Sequence, residues 1–206
     1  MAPIPSAHVS GFKPLLERAL AALQRCEESQ SIEFKRSGDW DSLKLQIVQT
    51  VLGMANLRDG GIIVIGVEQN DSRWMLSGIS EADLATFDAD IAADQVNSYI
   101  SPHAKITMVS FNEEGKKFLA IEVHEFSDIP VVCKKNGPGL MEGAVYIRPP
   151  GVRPQTTRVM RAEQMHDLLD LAAEKRSRRF LEVAKRVGMV PEETHRQRFD
   201  EELKGL

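Results

Sequence analysis

Apolar residues recur at three- and four-residue spacing through Leu43, Ile47, Val48, Val51, Leu52 and Ala55. That spacing predicts a helix from Asp41 to Leu57 with one apolar face, and Asp41 stands where an N-cap belongs. Ile62 to Val67 do not alternate at all, and a continuous β-branched run predicts a strand covered on both faces. Between the two, Asp59-Gly60-Gly61 reverses the chain; Gly66 lets another backbone come close, and the strand ends on an acid, Glu68. Helix and strand together predict the centre of an α/β domain.

The same reading extends in both directions. Phe12, Leu15, Leu16, Ala19, Leu20 and Leu23 predict a helix ending near Cys26, with Ser10 as a cap and Pro14 tolerated in its first turn. Ser31 to Arg36 alternate polar and apolar, so Glu33 and Lys35 share the wet face of a strand. Trp74 to Leu76 reads as a short returning strand, and Glu81 to Tyr99 as a helix capped by Ser80. Ile106 to Phe111 and Phe118 to Val123 flank Asn112-Glu113-Glu114-Gly115 as a hairpin, and Val131 to Cys133 and Ala144 to Ile147 are further strands.

From Thr157 the pattern turns helical as far as Val187, and Pro191 opens a last amphipathic piece ending at Leu206. The expected architecture is an α/β (α+β) fold: a mixed sheet of about six or seven strands with covering helices, plus C-terminal helices. The expected divisions are an N-terminal tail and helix over 1–26, the sheet domain over 27–156 and a helical extension over 157–206.

Composition narrows the class. A chain of 206 residues, 42% of them hydrophobic, can bury one core and carry a helical appendage. A net charge of −4 excludes indiscriminate polyanion binding, so any nucleic-acid surface must come from local clusters of Lys and Arg. Cys26 and Cys133 are too few for a disulfide framework and fit a reducing compartment. No apolar run reaches membrane-spanning length, and Met1 to Ser10 lacks the basic and apolar regions of a signal peptide, so the expected location is the cytoplasm. Neither a P-loop nor a Gly-x-Gly-x-x-Gly after a strand is present, which excludes a nucleotide triphosphatase of that type.

The candidate chemistry is carried by acids and bases. Glu28 before the first strand, Glu33 on it and Glu68 at the end of the central strand are placed to converge at one sheet end. Carboxylate oxygens in that number suit Mg²⁺ or Mn²⁺, which would polarise a phosphodiester and activate water, and Lys35 would neutralise the developing charge. The other reading of each acid is a solvated side chain on an exposed face. Lys134, Lys135, Arg148, Arg153 and Arg158 cluster around a glycine-rich loop, as phosphate binding requires. Lys175, Arg176, Arg178 and Arg179 read first as a solvated helix face.

Taken in order, Ser31-Ile32-Glu33-Phe34-Lys35, Ala55-Asn56 with Gly60-Gly61, Ile65-Gly66-Val67, Pro130 and Val145-Tyr146-Ile147-Arg148-Pro149 resemble the AlbA-like domain of the Schlafen family over roughly Glu28 to Leu169. The resemblance implies a mixed α/β nucleic-acid-binding fold. In catalytic members it implies a metal-dependent endoribonuclease acting on structured RNA such as tRNA, with Glu28, Glu33 and Glu68 as the site. Glu68 stands where those members carry Asp, which makes Asp71 a second candidate for the third acid, and the segment from Asn56 to Gly60 is one residue longer than theirs.

Animal members resemble two such lobes around a groove, which implies a homodimer for this single lobe, with the helices after Thr157 as contacts. Two alternatives to the nuclease follow: a non-catalytic DNA- or RNA-binding module, and an interaction protein working through its C-terminal helices.

Overall fold

The computed structural model describes residues 12–71, 73–151 and 155–189. The first helix, α1 (Lys13–Arg25), leads to β1 (Ile32–Lys35), the helix α2 (Trp40–Ala55) and the strand β2 (Gly61–Ile65). A hairpin, β3 (Val67–Asn70) and β4 (Arg73–Leu76), precedes two short helices, α3 (Glu81–Leu84) and α4 (Ala89–Asn97). β5 (Ile100–Ser101), β6 (Ile106–Glu113), β7 (Lys116–Val123), β8 (Val132–Cys133), β9 (Tyr146–Ile147) and β10 (Thr157–Arg158) follow, and α5 (Ala162–Arg186) closes the described chain.

The main sheet has the order β1-β2-β7-β6, with β1 parallel to β2 and the other pairs antiparallel. Three two-stranded ladders, β3-β4, β5-β8 and β9-β10, surround it. This is the mixed α/β fold that the sequence predicts.

β2 explains why the β-branched run does not alternate. Ile63 and Ile65 join the core formed with α2, α4 and part of α5, whereas Ile62 and Val64 join a second core under α1 and the β3-β4 hairpin. Each of these side chains is essentially inaccessible to water. Burying a large aliphatic side chain contributes about 1.5–3 kcal/mol, so a strand used on both faces stabilises the two layers at once. Gly66 ends the run with φ +110°, and a Cβ there would meet Gly78 at 2.8 Å, which is the close backbone approach expected of it.

Several boundaries differ from those the sequence predicts. The cap of α2 is Asp39, whose side chain accepts from the Ser42 amide, rather than Asp41. The helix expected over 81–99 is interrupted because Asp88 caps a new helix, its Oδ1 accepting from the Asp90 and Ile91 amides. α1 starts from Phe12 with a proline in its first turn and ends at Cys26, as its spacing predicts; Ser10 lies outside the described residues. Ahead of α5, Gln164 accepts from the Met160 and Arg161 amides.

α5 packs Leu168 and Ala172 into the main core and is tied down by ion pairs. Arg58 meets Glu174 at 2.5 Å, Lys175 pairs with Glu125, and Arg179 meets Asp128 at 2.8 Å. Farther along, Phe180 on the helix and Val187 and Met189 beyond its end stay exposed. The piece expected from Pro191 to Leu206 lies outside the described residues. Among the described residues, no helix is long and apolar enough to cross a membrane.

Candidate functional site

β1 is an edge strand whose inner partner is β2, so the amides on its outer side have no strand to bond. A tight turn, in which Ser29 and Ile32 exchange backbone hydrogen bonds at 3.1 and 3.2 Å, folds the preceding segment back along it. That turn brings Glu28 beside the strand, where its Oε1 accepts from the Phe34 amide at 3.0 Å. Glu28 therefore caps an exposed strand edge. Burial pushes its carboxyl above the ordinary value; the Phe34 amide pulls it back, and the nearby Glu33 charge adds to the rise.

Alternation along β1 sends Phe34 into the core under α1 and Glu33 and Lys35 to the opposite face, beside α2. That face is not open water: the two side chains are only 14% and 15% exposed. Glu33 is held by Lys35 and by Arg148, whose Nη2 lies 2.9 Å from its Oε2.

Arg148, 1% exposed, is the centre of this arrangement. Its Nε donates to Gln30 O at 2.7 Å, its Nη2 to Ser29 O at 3.1 Å and its Nη1 to Thr156 Oγ1 at 3.3 Å. In return Gln30 Nε2 donates to Arg148 O at 2.5 Å. This guanidinium clamps the edge turn to β9. The expectation that Arg148 contacts phosphate therefore does not hold in this conformation, because its donors are spent inside the protein.

Glu28, Glu33, Lys35 and Arg148 line one cavity of about 320 Å³. Its remaining wall comes from Gln46, Gln49 and Thr50 of α2 and from Gln155 and Thr156. On α2 the residues Gln46, Gln49, Thr50 and Gly53 fall at helical spacing, a polar and small stripe on an otherwise apolar helix. Gly53 is part of the design: a Cβ there would sit 2.7 Å from Thr156 Cγ2 and 3.0 Å from Arg148 Cγ. That stripe is the sequence signal by which this wall could have been found.

Glu68 is not in this cavity. The Ser29–Ile32 turn folds Glu28 back along β1, so its carboxylate meets Phe34, which pairs with Val64 of β2. Glu68 follows β2 on the β3-β4 hairpin, opposite Met75, and does not line the cavity that Glu28 and Glu33 share, so the expected grouping of the three acids is not found among the described residues. Among the described residues, no group of three His, Cys, Asp or Glu is placed to hold a metal ion. Two carboxylates, one already neutralised by two cations, are a poor donor set for Mg²⁺ or Mn²⁺, which take several oxygen ligands.

The other expected cations lie around the 134–145 loop. Lys134 is exposed. Lys135 donates to Ser98 Oγ at 3.0 Å and sits 3.8 Å above the Tyr99 ring. Arg158, also exposed, reaches Met141 Sδ at 2.8 Å. Arg153 lies outside the described residues. Tyr146 braces the loop, its hydroxyl donating to Gly139 O at 3.1 Å and accepting from the Met141 amide at 3.0 Å.

Asn56 anchors the base of the same region, and nothing in the local sequence pattern assigns it that role. Its side chain donates to Val131 O and Tyr146 O at 3.0 and 2.9 Å and accepts from the Val131 amide at 2.8 Å, all while 4% exposed.

A mixed sheet between helical layers, with an edge turn clamped by a buried arginine and a braced basic loop, defines an α/β domain built to present one polar surface. The chain matches the Schlafen, AlbA_2 family over residues 28–153 and belongs to that family. No curated protein matches it. Among solved structures, the DIP2311 protein from Corynebacterium diphtheriae is similar at 18% identity and a TM-score of 0.46, over 72% of this chain and 27% of that one. The N-terminal domain of a putative ATP-dependent DNA helicase RecG-related protein from Nitrosomonas europaea is similar at 26% identity and a TM-score of 0.42, over 63% of this chain and 85% of that one. This chain thus spans little more than a quarter of the length of the first.

Proposed function

We propose that this chain is a nucleic-acid-binding module that holds its ligand without cutting it. The observation that carries the reading is the grouping of Lys134, Lys135 and Arg158 around one braced loop, in a chain that belongs to the Schlafen, AlbA_2 family. A chain of net charge −4 repels polyanions at long range, so binding has to be local, and a cluster on a rigid loop supplies that.

The finer form of this reading, a Mg²⁺- or Mn²⁺-dependent endoribonuclease acting on RNA such as tRNA, asks Glu28, Glu33 and a third oxygen donor to share one ion. Here Glu28 caps Phe34, Glu33 is paired with Lys35 and Arg148, and Glu68 lies on the hairpin. The donor set does not fit the ion, so no hydrolytic step is derived.

The test is fluorescence anisotropy with labelled RNA and DNA at several salt concentrations, paired with incubation of tRNA and Mn²⁺ with the protein. Salt-sensitive binding and intact tRNA are expected. Cleavage that disappears in Glu28→Gln would overturn the non-cutting reading, and no binding at low salt would overturn both.

A further inference from the structure

The cavity beside β1 has a use that neither a metal nor a phosphate explains. Its charges balance: the carboxylates of Glu28 and Glu33 face the cations of Lys35 and Arg148. A phosphate needs a positive pocket, and a divalent cation needs uncompensated oxygens. A neutral, polar cavity instead suits a neutral ligand with hydrogen-bonding edges.

The wall matches such edges. Each glutamine amide offers both donors and an acceptor. Among the described residues no hydrogen bond engages the Gln46 amide, and Gln49 makes one long bond, to Gly139 O at 3.5 Å. Glu28, when ionised, only accepts. A volume of about 320 Å³ lies at the small end of ligand sites, enough for one heterocycle and part of its sugar. Location adds the last piece. Gln49 reaches Gly139, in the same loop that carries Lys134 and Lys135 and meets Arg158 through Met141, so the cavity and those cations adjoin one loop.

We propose that this cavity receives one unstacked nucleobase of a bound single strand, and selects a base carrying an exocyclic amino group. The Glu28 carboxylate, which only accepts, takes a hydrogen bond from the amino group of adenine or cytosine, whereas uracil presents a carbonyl at that position and sets two acceptors against each other; the glutamine amides, which both donate and accept, can hold the other edges of either base. A single strand is favoured because its bases can be turned out at little cost in unstacking. The inference rests on the nucleic-acid-binding reading above.

The experiment compares short labelled oligo(C) and oligo(U), which differ at the amino-versus-carbonyl position, by anisotropy at fixed salt. Oligo(C) is expected to bind roughly 5- to 10-fold more tightly, the worth of about one well-placed hydrogen bond. In Glu28→Gln, whose amide can donate to a uracil carbonyl, the ratio should fall towards one; in Arg158→Glu both affinities should fall while the ratio persists. Equal binding of the two oligonucleotides, or a preference untouched by Glu28→Gln, would overturn the base pocket and leave the binding module standing. Failure of both to bind would remove the binding module and the pocket with it.

Discussion

The guanidinium of Arg148 lies 2.9 Å from the carboxylate of Glu33, and the contact joins the first strand of the domain to the residue that follows its ninth. The pair is closed off by Lys35 on one side and by the carbonyls of Ser29 and Gln30 on the other. A motif that reads as chemistry along the sequence is here a fastening.

Arg148→Met should be strongly destabilising, since it leaves Glu33 short of a partner and two backbone carbonyls without donors. Breaking one side of a buried pair costs about 3–5 kcal/mol, which lowers the melting temperature of a chain this size by about 10 °C. Arg148→Lys should recover little of the loss, because one ammonium cannot span a forked set of acceptors. Thermal melts of both variants check this, and a wild-type melt in either would show that the clamp contributes nothing.

Asn56→Leu should destabilise without touching the cavity. It removes three buried hydrogen bonds and leaves the Val131 amide unpaired, at a cost of about 1–3 kcal/mol for each group left unsatisfied. Urea denaturation should show a lower midpoint, and the base preference of the folded fraction should be unchanged.

The acids should respond to pH in opposite senses. Glu28 titrates above its ordinary value in the folded chain, chiefly through burial, so its contribution to stability is complete below the unfolded value and declines as pH rises through the folded one. Glu174 is lowered to about 2, first by the hydrogen bond from Arg58, so its contribution is present above the ordinary value and is lost as pH falls towards 2. Glu125 follows Glu174 in direction: burial raises it, but Lys175 and the Asp59 amide together outweigh that. Glu28→Gln, which keeps an oxygen for the Phe34 amide, should be at least as stable as wild type near pH 7. Glu174→Gln should lose part of the acid-side fall. Denaturation at several pH values separates the two, and parallel curves for all three proteins would contradict the assignment.

Much of the fold was legible because its strongest signals are local. The β-branched run of β2 and the stripe on α2 state their burial directly, and the β6-β7 hairpin announces its turn. The site was legible only in part. Alternation put Glu33 and Lys35 on one face correctly, but a period of two cannot distinguish a solvated face from a polar cavity under a helix. Nor does it show where the acids end up: the Ser29–Ile32 turn folds Glu28 back onto Phe34, and the β3-β4 hairpin carries Glu68, neither of which alternation encodes. Arg148 looked like a surface cation because the carbonyls that bury it come from Ser29 and Gln30, far away in sequence.

The most direct measurement of the central claim is the salt dependence of oligonucleotide binding in wild type and in Lys134→Glu/Arg158→Glu. A phosphate-contacting surface predicts salt-weakened binding in wild type, and in the double variant a lower affinity with the slope of log K against log salt shallower by about 2. An affinity and slope unchanged by reversing both cations would contradict it.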